Sequence, residues 1–197
     1  MRSLILKGIL IYALFSSFAF GSVFDEAKIL NEKVVEKVNL ISQELKTKTG
    51  VEFVLLTLNN PNNVSLKELS KDYIKNLKSP FVVLALSPKN LNQDSGKVDI
   101  FMSDESLFDK EEVLSPRTNT GSILPILSRK GKDIYNAALL NGSGDIADKI
   151  AAKFGVELEN SLGSSNRMFL NLLRYPLYAT ILIVILIFIY RKNFGKK

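Results

Sequence analysis

The sequence predicts an α/β domain, a small mixed β-sheet sandwiched between α-helices, followed by a C-terminal transmembrane helix. Three observations predict it. Two short, nearly continuous apolar runs, residues 51–58 (VEFVLLTL) and 81–86 (FVVLAL), are separated by a helix-patterned segment, which is the layout of a β-α-β unit. The acidic residues are confined to the middle of the chain, and each end carries an uncharged apolar run. Finally, residues 175–190 (YPLYATILIVILIFIY) carry no charge and are bracketed by Arg174 and Arg191.

Residues 1–21 open with Arg2 and Lys7, continue through an uncharged run over 8–20, and end in Ala19-Phe20-Gly21, a small-x-small cleavage signal. This is the layout of a secretory signal peptide, and the mature chain is expected to begin near Ser22. The sixteen residues of 175–190 make a helix of about 24 Å at ~1.5 Å per residue. That is short of a ~30 Å hydrocarbon core, but Arg174 and Arg191 can snorkel and Tyr175, Tyr178 and Tyr190 suit the interfaces. Arg191, Lys192, Lys196 and Lys197 in the tail 191–197 mark the cytoplasmic side. The domain therefore belongs outside the cytoplasm, in the periplasm if the cell is Gram-negative.

All 20 acidic residues lie between Asp25 and Glu159, and the segment 22–166 holds 18 basic residues against them, a net charge of −2. The other eight basic residues flank the apolar ends. The whole-chain charge of +6 thus reports membrane topology and gives no ground for expecting a nucleic-acid partner. The chain has no His, Cys or Trp, which excludes Ser-His-Asp and Cys-His nucleophile systems, His-based proton transfer, ordinary zinc sites and disulfides.

Within the domain, residues 22–155, the apolar series Leu30, Val34, Val38, Ile41 and Leu45 predicts an amphipathic helix with Asn31 as N-cap and Gly50 as its stop. Residues 51–58 read as a strand covered on both faces. Ser65-Leu66-Lys67-Glu68 is a capping box, opening a helix whose stripe is Leu66, Leu69, Tyr73 and Leu77. Residues 81–86 predict a second buried strand, parallel to the first through a right-handed crossover. Residues 97–103 alternate Val98, Ile100 and Met102 with more polar neighbours, as a half-exposed strand antiparallel to the second would. Residues 104–120 read as a mobile surface segment. Helical pieces are expected over 122–130, 132–140 and 145–154, then a polar tether and juxtamembrane segment over 156–174.

The start Val23-Phe24-Asp25-Glu26-Ala27-Lys28-Ile29-Leu30, the junction Lys48-Thr49-Gly50-Val51-Glu52-Phe53-Val54 and the late Ala137-Ala138-Leu139-Leu140-Asn141-Gly142 resemble the TPM domain over most of residues 23–154. Asp25, Ala27 and Leu30 fit that family's V-x-D-x-A-x-x-L pattern, and Thr49-Gly50 its T-G-x-x-hydrophobic junction. The resemblance implies an extracytoplasmic α/β domain tethered by a transmembrane helix. It also implies a part in the upkeep or modulation of membrane protein complexes, photosystem repair among them, with calcium binding or acid phosphatase activity in some members. Many members carry Gly-x-Gly-Leu-Glu after the third strand. Here Met102-Ser103-Asp104-Glu105-Ser106-Leu107-Phe108-Asp109 stands in its place without the glycines, so the site that loop builds does not transfer intact.

Asp104, Glu105, Asp109, Glu111 and Glu112 place five carboxylates in nine residues. Oxygen-rich clusters suit Ca²⁺ or Mg²⁺, and Asp104, Glu105 and Asp109 are the candidate ligands. Topology puts Asp25 at the other end of the sheet, with Asn59, Asn60 and Ser87, where a polar pocket could form beyond the parallel strands. Gly142-Ser143-Gly144-Asp145-Ile146-Ala147 matches G-x-G-x-x-A but follows a helix, so it is expected to be a helix-turn-helix break with Asp145 as N-cap. No catalytic residue set is recognisable. The expected function is a membrane-anchored accessory module acting on a membrane protein or complex; the alternative is a divalent-metal-dependent, acid phosphatase-like hydrolase using the carboxylate cluster.

Overall fold

The computed structural model describes residues 21–89, 96–129 and 133–161, together with Thr180, Leu182 and Ile183. Helix α1 (Glu32–Thr49) begins where Asn31 Oδ1 accepts from the Val34 amide at 3.0 Å. It ends at Gly50, whose φ of 77° is the left-handed conformation that glycine adopts at least cost. Its Val34, Val38, Ile41 and Leu45 are buried at the spacing expected.

Four strands make one sheet in the order β1 (Val23–Asp25), β2 (Glu52–Thr57), β3 (Phe81–Ser87), β4 (Lys97–Met102). β1, β2 and β3 are parallel, and β4 returns antiparallel to β3 with Leu84 opposite Ile100. The alternation of a strand divides the core in two. Phe53, Leu55, Val82, Leu84 and Leu86 face α1 and the long helix α6 (Ile134–Lys153). Val54, Leu56, Val83 and Ala85 face the short helices α2 (Leu66–Leu69) and α3 (Lys71–Lys75). β2 and β3 are apolar at nearly every position because both of their faces are covered.

The structure departs from the sequence expectations in five places. Residues 23–25 form an edge strand, too short to show a period in the sequence. The helix expected to follow Ser65 keeps its cap, Glu68 N to Ser65 Oγ at 3.3 Å, but divides at Ser70 into α2 and α3. Residues 104–120 are held down: Leu107 and Val113 are buried in the main core, and Asp109 caps the short helix α4 (Lys110–Val113). Of 122–130, only α5 (Leu124–Leu127) is α-helical.

The fifth correction concerns Gly142-Ser143-Gly144, which does not break a helix. α6 runs through it unbroken, and Asp145 is a mid-helix residue rather than an N-cap. A Cβ at Gly142 would lie 2.4 Å from Ile123 Cγ1, so the glycine admits the chain entering α5 against α6. Ser143 Oγ returns its proton to Leu139 O at 2.7 Å, so its burial leaves no polar atom unmatched. Burial also pushes the Asp145 carboxyl above its ordinary range, against the Ser122 hydroxyl and Lys149, which pull it down.

Past α6 the chain is clamped to α1. Glu44 accepts from the Glu159 amide at 2.7 Å and the Asn160 amide at 2.8 Å, and pairs with Lys48 at 2.7 Å. Burial pushes the Glu44 carboxyl up, but Lys48 and the two amides outweigh it and hold it at about 2. Among the described residues no helix is long and apolar enough to cross a membrane. The signal peptide expected over 1–21 lies outside them apart from Gly21, and the transmembrane helix expected over 175–190 apart from Thr180, Leu182 and Ile183.

Candidate functional site

Three parallel strands place the residues that end them, Asp25, Thr57 and Ser87, along one end of the sheet. Asp25 is saturated there. Its Oδ1 accepts from Ile29 N at 3.1 Å and from the Thr57 hydroxyl, and its Oδ2 from Leu30 N at 3.0 Å. Asp25 therefore shapes the turn between β1 and α1. Asn59 Nδ2 donates to Glu26 O at 3.0 Å, and Asn60 closes its own turn through both the amide and the carbonyl of Val64, each at 2.8 Å. Beside them Phe24 meets Tyr73 edge to face at 5.3 Å. Burial and the neighbouring Glu26, which accepts from its hydroxyl, push Tyr73 up to about 12.

Asn136, at the start of α6, ties this end to the next layer. Its Oδ1 accepts from Asn31 N at 2.8 Å and its Nδ2 donates to Ile29 O at 3.0 Å and to Asp133. No local pattern marks Asn136 in the sequence, because its partners lie 105 and 107 residues away. Thr57 was hidden for the same reason inside an apolar strand.

Between the start of β4, α5 and the first turn of α6 lies an open cavity of about 460 Å³. Its walls are mainly apolar: Leu86, Val98, Leu124, Leu127, Ile134 and the ring of Tyr135. Of Asp25, Asn59, Asn60 and Ser87, only Ser87 borders it. Its polar lining is already engaged in part. Ser128 Oγ donates to Pro125 O at 3.0 Å, and Tyr135 Oη accepts from Lys89 N at 3.3 Å. Lys97 sends its ammonium to the carbonyls of Asn63 and Val64, both at 3.1 Å. The cavity was missed in the sequence because its walls come from five separate segments.

The acidic segment sits at the opposite end, after the antiparallel β4, as topology required. Asp104 accepts from the Ser106 amide at 2.9 Å, and its bonds to Ser106 hold its carboxyl below the usual range. Asp109 accepts from Glu111 N at 2.9 Å as the cap of α4, and Glu112 pairs with Lys149 at 2.8 Å. Lys153 donates to Ser106 Oγ at 2.7 Å. Glu105, Asp109 and Glu111 border a depression of about 490 Å³ with Lys110 among them. Among the described residues no group of three acids is placed to hold a metal ion. Compared with protein families, curated proteins and solved structures, the chain matches none.

Proposed function

We propose that this chain is a membrane-anchored, extracytoplasmic binding module, an accessory to a membrane protein or complex, of the kind the TPM resemblance implies. The cavity beside β4 carries this reading. It offers apolar surface at the end of the sheet, whereas the carboxylates of Asp25, Asp104 and Asp109 are occupied in turns and caps. Open α/β sheets bind ligands beyond the carboxyl ends of their strands. Residues 175–190 supply the anchor, and because Glu44 holds the Glu159 and Asn160 amides, at most the six residues 161–166 of the expected tether remain to extend, about 21 Å at ~3.5 Å each. The domain then works close to the bilayer.

The test is cross-linking in intact cells followed by purification of the full chain. A membrane partner should be recovered with the native chain and lost when the chain is truncated before Tyr175, which leaves the domain to be secreted without its anchor. The same preparation should not hydrolyse a phosphomonoester. Turnover that is abolished both by a chelator and by Asp104→Ala would replace this reading with the metal-dependent hydrolase.

A further inference from the structure

We propose that the cavity between β4, α5 and α6 binds an acyl chain that carries an anionic head group, such as a fatty acid. This deepens the binding-module reading and rests on it. At about 460 Å³ the cavity falls among small-ligand pockets, which run from ~300 to ~1,000 Å³. Leu86, Val98, Leu124, Leu127 and Ile134 give it an apolar wall, so its occupant has an apolar body.

The rim fixes the head group. Arg117 follows the lining residue Pro116, Arg129 follows Ser128, and Lys89 lies two residues beyond Ser87. All three are exposed, and none forms an ion pair among the described residues. Among the described residues, the acid next in sequence to this lining is Asp133, which already accepts from Asn136. Lys97 is no part of this charge, since its ammonium is held by the Asn63 and Val64 carbonyls. Tyr135 Oη accepts from Lys89 N, which leaves its own proton to donate to a head-group oxygen. A basic rim over an apolar wall complements an anionic amphiphile and selects against a neutral or cationic one.

A peptide fits this surface less well. Its backbone would bring a donor and an acceptor at every residue into a wall that offers only the Tyr135 and Ser87 hydroxyls to meet them, and unmet polar groups are costly to bury. An acyl chain brings none.

The probe is dansyl-labelled undecanoic acid, titrated into the full chain held in amphipol, with its methyl ester as the uncharged control. The acid should bind saturably and roughly tenfold or more tighter than the ester, and the Arg117→Glu, Arg129→Glu double variant should lose about the same factor. Both substitutions are at exposed positions, so circular dichroism should be unchanged. Leu127→Asp should abolish saturable binding. Equal binding of acid and ester, binding indifferent to rim reversal, or no saturable binding would overturn the proposal. Cross-linking of the rim variant separates the two levels. A native chain that recovers its partner but binds no fatty acid leaves the module standing and removes the lipid. Partner recovery that requires Arg117 and Arg129, again without fatty-acid binding, makes the cavity a protein-docking surface and overturns the acyl-chain assignment.

Discussion

Glu44 shows how one side chain can hold an element to the domain. Its carboxylate takes two backbone amides and Lys48 at once, so the segment leading toward the tether is fastened to α1 by charge-assisted bonds. The folded-state value of about 2 lies below the ordinary 4.5. The stabilisation is therefore fully present above about pH 4.5 and is lost as pH falls through 2. Glu44→Gln should cost about 1–2 kcal/mol at neutral pH, and the gap to the native chain should close as pH drops from about 5 to 2. Urea unfolding across that range checks it. Asn136→Ala should cost about 1–2 kcal/mol, because it removes the part-buried bonds to Asn31 N–H and Ile29 C=O together. Asn136→Asp should not recover the loss, since a carboxylate would face Ile29 O and the Asp133 carboxylate with no proton to give either. Asn31 itself was legible as an N-cap, since that bond closes within three residues. Asn136 was not, since nothing near it in sequence shows what it holds.

At the scale of elements, local signals succeeded wherever the element's stabilising contacts are its own. The N-cap of α1, its Gly50 stop and the Ser65 cap of α2 were all readable. The alternating or continuous apolar runs of β2, β3 and β4 also stated how many faces each strand buries. α6 is the counter-example. Two glycines and a serine spell a turn locally, yet the helix continues because Gly142 lets Ile123 approach and α6 packs along α1. Tertiary burial outweighs the ~1 kcal/mol helix penalty of a glycine. Gly142→Ala, which would favour an isolated helix, should instead destabilise this protein by about 1–3 kcal/mol through overpacking. Adding Ile123→Ala should restore part of the loss, and a double-mutant cycle by thermal unfolding would measure the coupling.

For the whole molecule, the two ends of the sheet differ in charge. Lys89, Arg117 and Arg129 lie within two residues of the apolar cavity's lining, and Glu105, Asp109 and Glu111 border the far depression. The chain has no cysteine, so its topology can be read with single introduced thiols. Glu105→Cys should react with an impermeant maleimide in intact cells or spheroplasts, and Lys196→Cys only after permeabilisation. The opposite pattern would invert the membrane orientation proposed here.

What the sequence by itself determined is the set of properties written in nearest neighbours and in overall distribution. These are the α/β class, the strands and main caps, the separation of Asp25 from Asp104, and the expectation of an anchor from the uncharged run 175–190. They are legible because helix and strand periods, caps and charge segregation act over a few residues or over composition. Only the tertiary structure decided that β1 joins the sheet, that α6 runs through its glycines, that Asp25, Asp104 and Asp109 serve turns and caps, and that five separate segments enclose a cavity. Each of those depends on groups brought together by packing, and the free energy of such contacts belongs to the pair rather than to either stretch of chain.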